Sequence, residues 1–519
     1  MLDYFFTNLD KPVFFAKNFH PEVWALMQAR YSRSTKGLRE GFLELLKEDP
    51  VNFDQLSQAL SNKQNSAQMQ SAVDKAIQFM EKWVLGYGHS SVAEGAIVGA
   101  GFEGVSILAS KVIEDNRLAS YIEKSTRYVK FDRSSFYIDP LLKESEYGNE
   151  VESLVNELFE TYENLSKPVL EYVKSTVPLK AGEDESAWKR ACAARRFDSV
   201  RYLLPACTKT SLGWTVNARA LAHGISKMLS HPLPEMQELG KLTREEGKIV
   251  LPSLLKYADE KKFFIETEKA MPTLTHGYVD AQQFLGDPAL PIAEPVELVS
   301  YSDDADNLLV ASILYRYSHL PFEKMRSIAR NMQPADREKI WSEFCSRISE
   351  FDYPLRELEH VSLTFDVLVD YGAFRDIQRH RVMTQTNQLL TTFHGYDTPP
   401  DIVAAGCAEQ YTIVMQKADK LFRKLYPSLP YHAQYVVPLA YRKRVLMTMN
   451  LRELYHFVKL RSTPAGHYSY RLIARLMYDA VKRKFPLLSQ YLICHLSNDD
   501  LGRLQAEQKL EEKIKKGLI

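Results

Sequence analysis

Several segments of this chain place apolar residues three to four positions apart, which is the spacing of an amphipathic helix. The pattern is clearest at 150–174 and 408–425, and the charged run 504–519 predicts an exposed C-terminal helix. Three short runs rich in β-branched or aromatic residues predict strands: VFFA at 13–16, ELVSY at 297–301 and SLTFDVLV at 362–369. The pattern therefore predicts a chain in which helices predominate and strands are short.

Composition narrows the class of protein. With 519 residues, 45% hydrophobic and 25% charged, the chain is long enough for two or more globular domains. Lys plus Arg and Asp plus Glu are both 66, so net charge indicates neither nucleic acid nor an anionic membrane as a partner. The longest weakly charged stretch, 90–111, is interrupted by Glu94 and Glu103, which argues against a membrane span.

Targeting and metal signals are weak. The N-terminus has no basic region and no cleavage site of a signal peptide, so we expect a cytoplasmic protein. The five cysteines form no CxxC pair, which argues against a zinc site and against a disulfide framework. Cys207 is interpreted as a small buried side chain rather than a nucleophile.

Two sets of motifs repeat along the chain in the same order. NRLASYIEKSTRY at 116–128 is followed by LLP and by NARALAH at 217–223. QRHRVM at 378–383 is followed by VVP and by NLRELYH at 450–456. Both intervals from the proline to the asparagine, Pro205 to Asn217 and Pro438 to Asn450, are 12 positions. This spacing predicts an internal duplication.

The duplication sets the predicted domain boundaries. The stretch GDPALPIAEP at 286–295 contains three prolines and is the best candidate linker. We therefore predict a first domain at 1–285, a linker at 286–295 and a second domain at 296–519. A duplicated enzyme can lose part of its site from each copy and still work, provided that the surviving parts are complementary.

Together these motifs resemble those of the flavin-dependent thymidylate synthases, whose signature is RHRxxSxNExSxRY. The first copy matches its right-hand part with Ser120, Glu123, Ser125, Arg127 and Tyr128. The second copy matches its left-hand part with the tripeptide 379–381, Arg-His-Arg. No single motif is complete, but their order and spacing, found twice, carry the resemblance.

The remaining family motifs are divided in the same way. The first copy keeps GHSS at 88–91, with Glu94, as the counterpart of GHxSxxEH. The arginine of ARxxLP is Arg201 in the first copy and Gln434 in the second. The arginine that closes NxRxLxxFxxxR is Arg461 in the second copy, where the first has Met228. The surviving residues are thus complementary between the copies.

The resemblance implies an α+β fold of two tandem domains, helix-rich with a small sheet in each, arranged as a pseudo-dimer. Two chains would form a homodimer resembling the family's four-domain tetramer. By the family pattern, six residues bind the nucleotide: Glu123, Ser125, Arg127, Arg201, Arg379 and Arg461. Six more bind the FAD cofactor: His89, Ser91, His380, Arg381, Asn450 and His456.

The implied reaction is the reductive methylation of dUMP to dTMP. Methylenetetrahydrofolate supplies the carbon, and reduced flavin, recharged by NADPH, supplies the hydride. Several arginines suit a phosphate dianion, because a guanidinium group binds oxyanions in bidentate geometry. No protein nucleophile and no metal is implied, and the partners are a pyrimidine mononucleotide and folate.

Alternatives stay open at this stage. Asp376 stands where the family has a glutamine that touches uracil, so a cytosine nucleotide or another C5 modification such as hydroxymethylation is an alternative substrate or reaction. A noncatalytic nucleotide-binding protein is a third hypothesis. Residues 379–381 taken alone also fit a solvated basic cluster, Glu123 and Arg127 fit a helix-surface pair, and Asn450 fits a helix cap.

Overall fold

The computed structural model describes residues 2–32, 34–47, 90–279, 294–349, 351–497 and 501–518. The chain divides into two compact units that do not follow the chain order simply. Unit 1 comprises 1–105, 112–123 and 210–278, and unit 2 comprises 106–111, 124–209 and 279–519. Unit 2 therefore combines parts of the first sequence copy with all of the second.

The helices of the first half are α1 Leu2–Phe5, α2 Pro21–Tyr31, α3 Leu38–Lys47, α4 Ile107–Ile113, α5 Pro140–Glu144, α6 Gly148–Thr176, α7 Glu185–Val200, α8 Ala218–Leu229, α9 Pro234–Val250 and α10 Lys262–His276. Those of the second half are α11 Ala305–Arg316, α12 Phe322–Asn331, α13 Pro334–Cys345, α14 Tyr371–Ile377, α15 Pro400–Ala404, α16 Ala408–Leu425, α17 Pro430–Ala433, α18 Leu451–Arg461, α19 Tyr468–Lys484, α20 Pro486–Ser489 and α21 Leu504–Lys515. The strands are β1 Ile97–Ser106, β2 Ala119–Glu123, β3 Lys209–Asn217, β4 Val296–Tyr301, β5 Ser362–Asp370, β6 Thr384–Asn387 and β7 Arg442–Asn450.

Unit 1 contains a three-stranded sheet with the order β1-β3-β2, in which β2 and β3 are antiparallel. Trp214 of β3 is buried and packs beside the rings of Tyr121 and Phe102. Gly224 of α8 lies against this indole, since a Cβ there would come within 2.7 Å of it. The helix that follows β3 thus packs closely on the sheet.

Unit 2 contains a four-stranded sheet with the order β4-β5-β7-β6, and each of its pairings is antiparallel. Alternate residues of β5 and β7 are buried, which is the period-two pattern of a sheet with one face on the core. β5 ends at Asp370, whose carboxylate accepts a 2.7 Å hydrogen bond from the amide of Ala373 and so begins α14. β7 ends at Asn450, which caps α18 in the same way.

The long helix α6 packs with α16 in unit 2, and both bury an apolar stripe. Lys417 of α16 forms an ion pair with Glu157 of α6 at 2.5 Å, and Lys424 pairs with Glu150 at 2.6 Å. These exposed pairs contribute little to stability, which rests mainly on the buried apolar faces.

The two proline motifs of the duplication pair with each other inside unit 2. The amide of Ala206 donates to the carbonyl of Val437 at 2.9 Å, and the amide of Leu439 donates to the carbonyl of Leu204 at 2.9 Å. These two hydrogen bonds exchange roles when 201–207 is superposed on 434–440, and Pro205 and Pro438 lie opposite each other in an antiparallel bridge. Such reciprocal pairing defines a local pseudo-twofold axis.

Most of the predicted elements are confirmed. The helices predicted at 150–174, 408–425 and 504–519 are α6, α16 and α21, and the strands predicted at 297–301 and 362–369 are β4 and β5. The strand predicted at 13–16 is wrong, because VFFA makes only the isolated bridge between Ala16 and Phe6. The fold class is confirmed as helix-rich α+β with two small sheets.

The predicted boundaries 1–285, 286–295 and 296–519 stay a prediction, and 286–293 lies outside the described residues. Among the described helices, none has the length and apolar character needed to cross a membrane. Cys207 is buried, as predicted.

Candidate functional site

Asp376, in the last turn of α14, is the centre of a charged cluster in unit 2. Burial acts to raise the pKa of its carboxyl, but the charges of four arginines outweigh that effect and hold the pKa well below its usual range. The four are Arg379, Arg127, Arg201 and Arg461. The structure thus brings together all four arginines predicted to bind a nucleotide, two from each sequence copy.

Arg127 is placed by a turn that follows β2. The hydroxyl of Ser125 accepts a 3.2 Å hydrogen bond from the Arg127 amide, which fixes this turn. The guanidinium group binds both carboxylate oxygens of Asp198, at 2.8 and 3.1 Å, and donates to the Tyr470 hydroxyl at 2.8 Å. The alternative that Glu123 and Arg127 form a helix-surface pair is wrong, because Glu123 ends a strand and Arg127 lies in a turn.

Arg201 lies at the end of α7, where a short 3-10 turn begins, and is only 1% exposed. Its Nη1 is 3.5 Å from the Thr126 hydroxyl, while its Nε and Nη2 are buried without a hydrogen-bond partner among the described residues. Gly372 lies against the guanidinium group, since a Cβ there would be 3.5 Å from Nη2. A buried cation with open donors is costly unless an acceptor or an anion binds to it.

Arg461 ends α18 and forms a chain of hydrogen bonds back to the start of that helix. Its Nε donates to His380 Nε2 at 2.8 Å, and His380 Nδ1 lies 2.8 Å from a carboxylate oxygen of Glu453. Because an arginine Nε always donates, Nε2 of His380 carries no proton and Nδ1 donates to Glu453. Burial, followed by the charge of Arg461, keeps the pKa of His380 well below its usual value, so this imidazole is neutral.

Arg379 and Arg381 are the exposed members of the Arg-His-Arg tripeptide. The Arg379 guanidinium forms an ion pair with Asp376, while its side chain remains 40% exposed. Arg379 therefore lies where the cluster meets solvent, in contrast to the fully buried Arg201. The alternative of a merely solvated basic cluster fits Arg381 but does not account for Arg379 or His380.

The residues predicted to bind flavin differ in burial, in hydrogen bonding and in the unit to which they belong. His380 has both ring nitrogens engaged, and the side-chain oxygen of Asn450 accepts from the Glu453 amide at 2.8 Å. His456 is half-buried, and its ring centroid is 5.4 Å from that of His380. Ser91 belongs to unit 1, as does Glu123 of the residues predicted to bind the nucleotide, and His89 lies outside the described residues. These assignments stay predictions.

Two contacts of the cluster were not foreseen from the sequence. Asp198 binds both Arg127 and Arg503, and the Arg503 contact is 2.8 Å long. Asp198 precedes Arg201 by three positions on α7, one helical turn, which could have suggested that it lies near the cluster. Arg503 lies in the C-terminal segment, outside every motif of the duplication, and no sequence signal identifies it.

A cavity of about 260 Å³ adjoins the cluster in unit 2. Its walls include Asp198 and Arg195 of α7, Ala465, Tyr468 and Arg503. Arg195 is paired with Asp401, which also lines the cavity, at 2.7 Å. The cavity thus lies beside the arginines with its carboxylates already paired, and much of its remaining lining is apolar.

A family model described as thymidylate synthase complementing protein matches the chain twice, at residues 44–253 and 297–487. The chain belongs to this family. A UPF0159 protein of Chlamydia pneumoniae is 32% identical over 522 residues, covering 98% of this chain and 97% of that relative. The flavin-dependent thymidylate synthase of Clostridium tetani is 26% identical over 210 residues, covering 40% of this chain and 76% of that protein.

Among solved structures, the chain is similar to the flavin-dependent thymidylate synthase ThyX of Helicobacter pylori complexed with FAD and dUMP. The identity is 16% and the TM-score 0.29, over 38% of this chain and 100% of that one. The double family match confirms the duplication inferred from the repeated motifs, and the Chlamydia relative is matched along nearly its whole length.

Proposed function

We propose that the arginine cluster binds a pyrimidine mononucleotide, and that the protein is a flavin-dependent enzyme that methylates its base. In the most specific form of the proposal, dUMP becomes dTMP with FAD as cofactor and methylenetetrahydrofolate and NADPH as cosubstrates. One observation carries the proposal: four arginines from two sequence copies surround Asp376, and one of them, Arg201, keeps buried donors open.

The charge of the cluster supports a phosphate-bearing ligand. Four guanidinium groups lie among three carboxylates, those of Asp198, Asp370 and Asp376. The excess of positive charge and the open donors of Arg201 suit a phosphate dianion, whose oxygens accept several hydrogen bonds at once. Ser125 and Glu123 remain assigned to the nucleotide by the family pattern.

FAD is supported by the family and by part of the predicted residue set. Arg381 is exposed and His456 is half-buried beside His380, so these two can offer polar atoms to a cofactor. His380 and the side-chain oxygen of Asn450 are occupied by Arg461, Glu453 and the cap of α18, so in this proposal they hold the geometry around the cofactor. Bound flavin would supply the hydride of the methylation.

A cytosine nucleotide is the alternative substrate that one specific observation favours. The four arginines keep Asp376 ionised, and an ionised carboxylate accepts hydrogen bonds but donates none. Such a group would accept from the exocyclic amino group of cytosine and would repel the O4 carbonyl of uracil. Arg379 already pairs with this carboxylate, however, and Arg461 donates to the backbone carbonyl of the same residue, which leaves dUMP the first substrate to test.

The test is an absorbance spectrum of the protein after loading with FAD and desalting, recorded with and without dUMP. Retained flavin whose bands shift on adding dUMP supports the proposal and justifies an assay of folate-dependent dTMP formation. A shift with dCMP alone would favour the alternative substrate. Absence of flavin from the folded protein would contradict the proposal of a flavin-dependent enzyme and would leave the hypothesis of a noncatalytic nucleotide-binding protein.

The cytoplasmic location and the homodimer belong to the same proposal. The family pattern implies that two chains complete a four-domain assembly. Light scattering on the purified protein checks this, because a chain of 59.6 kDa would then appear at twice its mass.

A further inference from the structure

The C-terminal segment extends beyond the second family match, which ends at residue 487. It nevertheless reaches the arginine cluster, because Arg503 donates from Nη2 to Asp198 at 2.8 Å and from Nε to the carbonyl of Ala465 at 3.1 Å. Asp198 is thereby shared between Arg127 and Arg503. A residue outside the family pattern thus becomes part of the site.

The remaining guanidinium nitrogen of Arg503, Nη1, makes no hydrogen bond to the described residues. The side chain is only 8% exposed, and Nη1 is buried without a hydrogen-bond partner among the described residues. Arg503 also lines the 260 Å³ cavity beside the cluster. Since a guanidinium group keeps its charge at any physiological pH, a buried donor without a partner beside a cavity calls for an acceptor that reaches it from this space.

The acidic groups of the cavity do not oppose an anion there. Asp198 is neutralised by Arg127 and Arg503, and Asp401 is neutralised by Arg195. Asp198 carries one negative charge against two guanidinium groups, and Arg471, which donates to backbone carbonyls, also lines this wall, so a net positive charge remains there. An incoming phosphate oxygen would find a charged donor without displacing an ion pair, so the favoured ligand group is an oxyanion.

The C-terminal segment holds Arg503 in place before any ligand binds. α21 docks on α7 through Arg190, which pairs with Glu507 and with Glu511, both at 2.7 Å. Gly502 permits close approach of the C-terminal segment to the backbone at Pro464, because a Cβ there would lie 2.1 Å from the Pro464 carbonyl oxygen. A donor fixed in this way loses little conformational freedom on binding.

We propose that Arg503 is a fifth arginine of the anion-binding site and that Nη1 donates to the phosphate of the bound mononucleotide in this cavity. The inference rests on the proposed function, which it extends by assigning a binding residue from the C-terminal segment. It concerns binding only and involves no covalent step.

The experiment measures the affinity of the full-length protein for dUMP and for 2′-deoxyuridine, which lacks the phosphate. Arg503→Gln should weaken dUMP binding about tenfold, the factor expected for one hydrogen bond to a charged group, and leave 2′-deoxyuridine binding unchanged. Arg503→Lys keeps the charge but not the fork and should give a smaller loss. Lys417→Gln is the control, because it removes an exposed ion pair of unit 2, that with Glu157, which involves neither Arg503 nor the C-terminal segment, and it should bind dUMP like the wild type.

Two results would overturn the inference. One is wild-type dUMP affinity in Arg503→Gln, and the other is an equal loss for dUMP and 2′-deoxyuridine. If Arg503→Gln does not fold, wild-type dUMP affinity in Arg503→Lys counts against the inference, and a selective loss for dUMP supports it.

Inorganic phosphate separates this inference from the proposed function. If the wild-type protein binds no nucleotide but phosphate raises its melting temperature, and Arg503→Gln abolishes that rise, the proposed function fails and the anion site stands. An equal rise in both proteins refutes the role of Arg503 whatever the nucleotide result.

Discussion

Arg201 and Gln434 occupy the same position in the two copies, yet they have opposite hydrogen-bonding states. Gln434 is buried with its amide fully used: its oxygen accepts from the Leu390 amide at 2.9 Å, and its nitrogen donates to the Tyr431 carbonyl at 3.0 Å. Arg201 is buried with two of its nitrogens unpartnered among the described residues. One copy thus has a buried amide with hydrogen-bond partners, while the other has a buried guanidinium group with donors that lack them.

The surroundings of the two positions differ in the same sense. Asp370 lies beside Arg201, and Ser106 is its counterpart in the repeat, because the two lie 11 positions before Arg381 and Arg117. Both accept a hydrogen bond that begins a helix, from the amides of Ala373 at 2.7 Å and Ala109 at 2.9 Å. The carboxylate belongs to the second copy but lies beside the buried arginine of the first, whereas the first copy itself has a neutral hydroxyl at the equivalent position. At the Arg201 and Gln434 positions, and again at Asp370 and Ser106, the duplicated chain therefore has a charged residue in one copy and a neutral residue in the other.

The largest expected effect breaks the comparison directly. Arg201→Gln gives the first copy the residue of the second, and we expect dUMP affinity to fall at least about a hundredfold, because two charged donors are lost. Isothermal titration measures this, with unfolding in urea as the check that the fold survives. Unchanged dUMP affinity in a folded Arg201→Gln protein would show that the buried arginine serves packing alone.

The pH dependence of stability should differ between the two capping residues. Burial, the largest cause, raises the pKa of Asp370 to about 6 from an ordinary value of 3.8. The folded state therefore holds an extra proton between pH 4 and 6, so this carboxyl favours folding at low pH and the advantage is lost as pH rises through 6. The difference in unfolding free energy between wild type and Asp370→Asn should change by on the order of 3 kcal/mol across this window.

Urea unfolding at a series of pH values measures that change. The free energy of unfolding of the wild type should fall relative to that of Asp370→Asn as pH rises. Ser106→Ala is the matched control, and it should cost about 1 kcal/mol at every pH, as expected for a lost helix cap. A flat difference between wild type and Asp370→Asn would mean that Asp370 titrates like an exposed carboxyl.

The smallest effect comes from the satisfied copy. Gln434→Leu removes the hydrogen bonds of Gln434 to the amide of Leu390 and the carbonyl of Tyr431, so we expect a loss of about 2 kcal/mol in the free energy of unfolding. Nucleotide affinity should not change. Urea unfolding and dUMP titration on the same sample check both parts, and a drop in affinity without a drop in stability would assign Gln434 to a second working site.

The helices were predictable where their apolar stripes were strong. α6 and α16 could be read from spacing because their buried faces recur over five to eight turns. β1 was not predicted, because its ten residues include three glycines and few strongly apolar side chains. VFFA has the composition of a strand but lacks a partner strand, so strand formation here depends on pairing rather than on composition.

The site was predictable where the repeat aligned it. The four arginines were found because each stands in a motif that can be compared with its counterpart. The fate of Gln434 could not be read from the sequence, since it depends on the backbone of Leu390 and Tyr431. Arg503 was not predicted, because its contact with Asp198 joins residues 305 positions apart. Long-range contacts of this kind leave no local pattern.

The most direct test of the account counts dUMP molecules bound per chain in FAD-loaded protein by isothermal titration. The complementary loss of residues between the copies predicts one dUMP per chain, with an affinity at least about a hundredfold weaker in Arg201→Gln. Two nucleotides per chain, or one bound with unchanged affinity after Arg201→Gln, would contradict the claim that the duplicated chain keeps a single composite site.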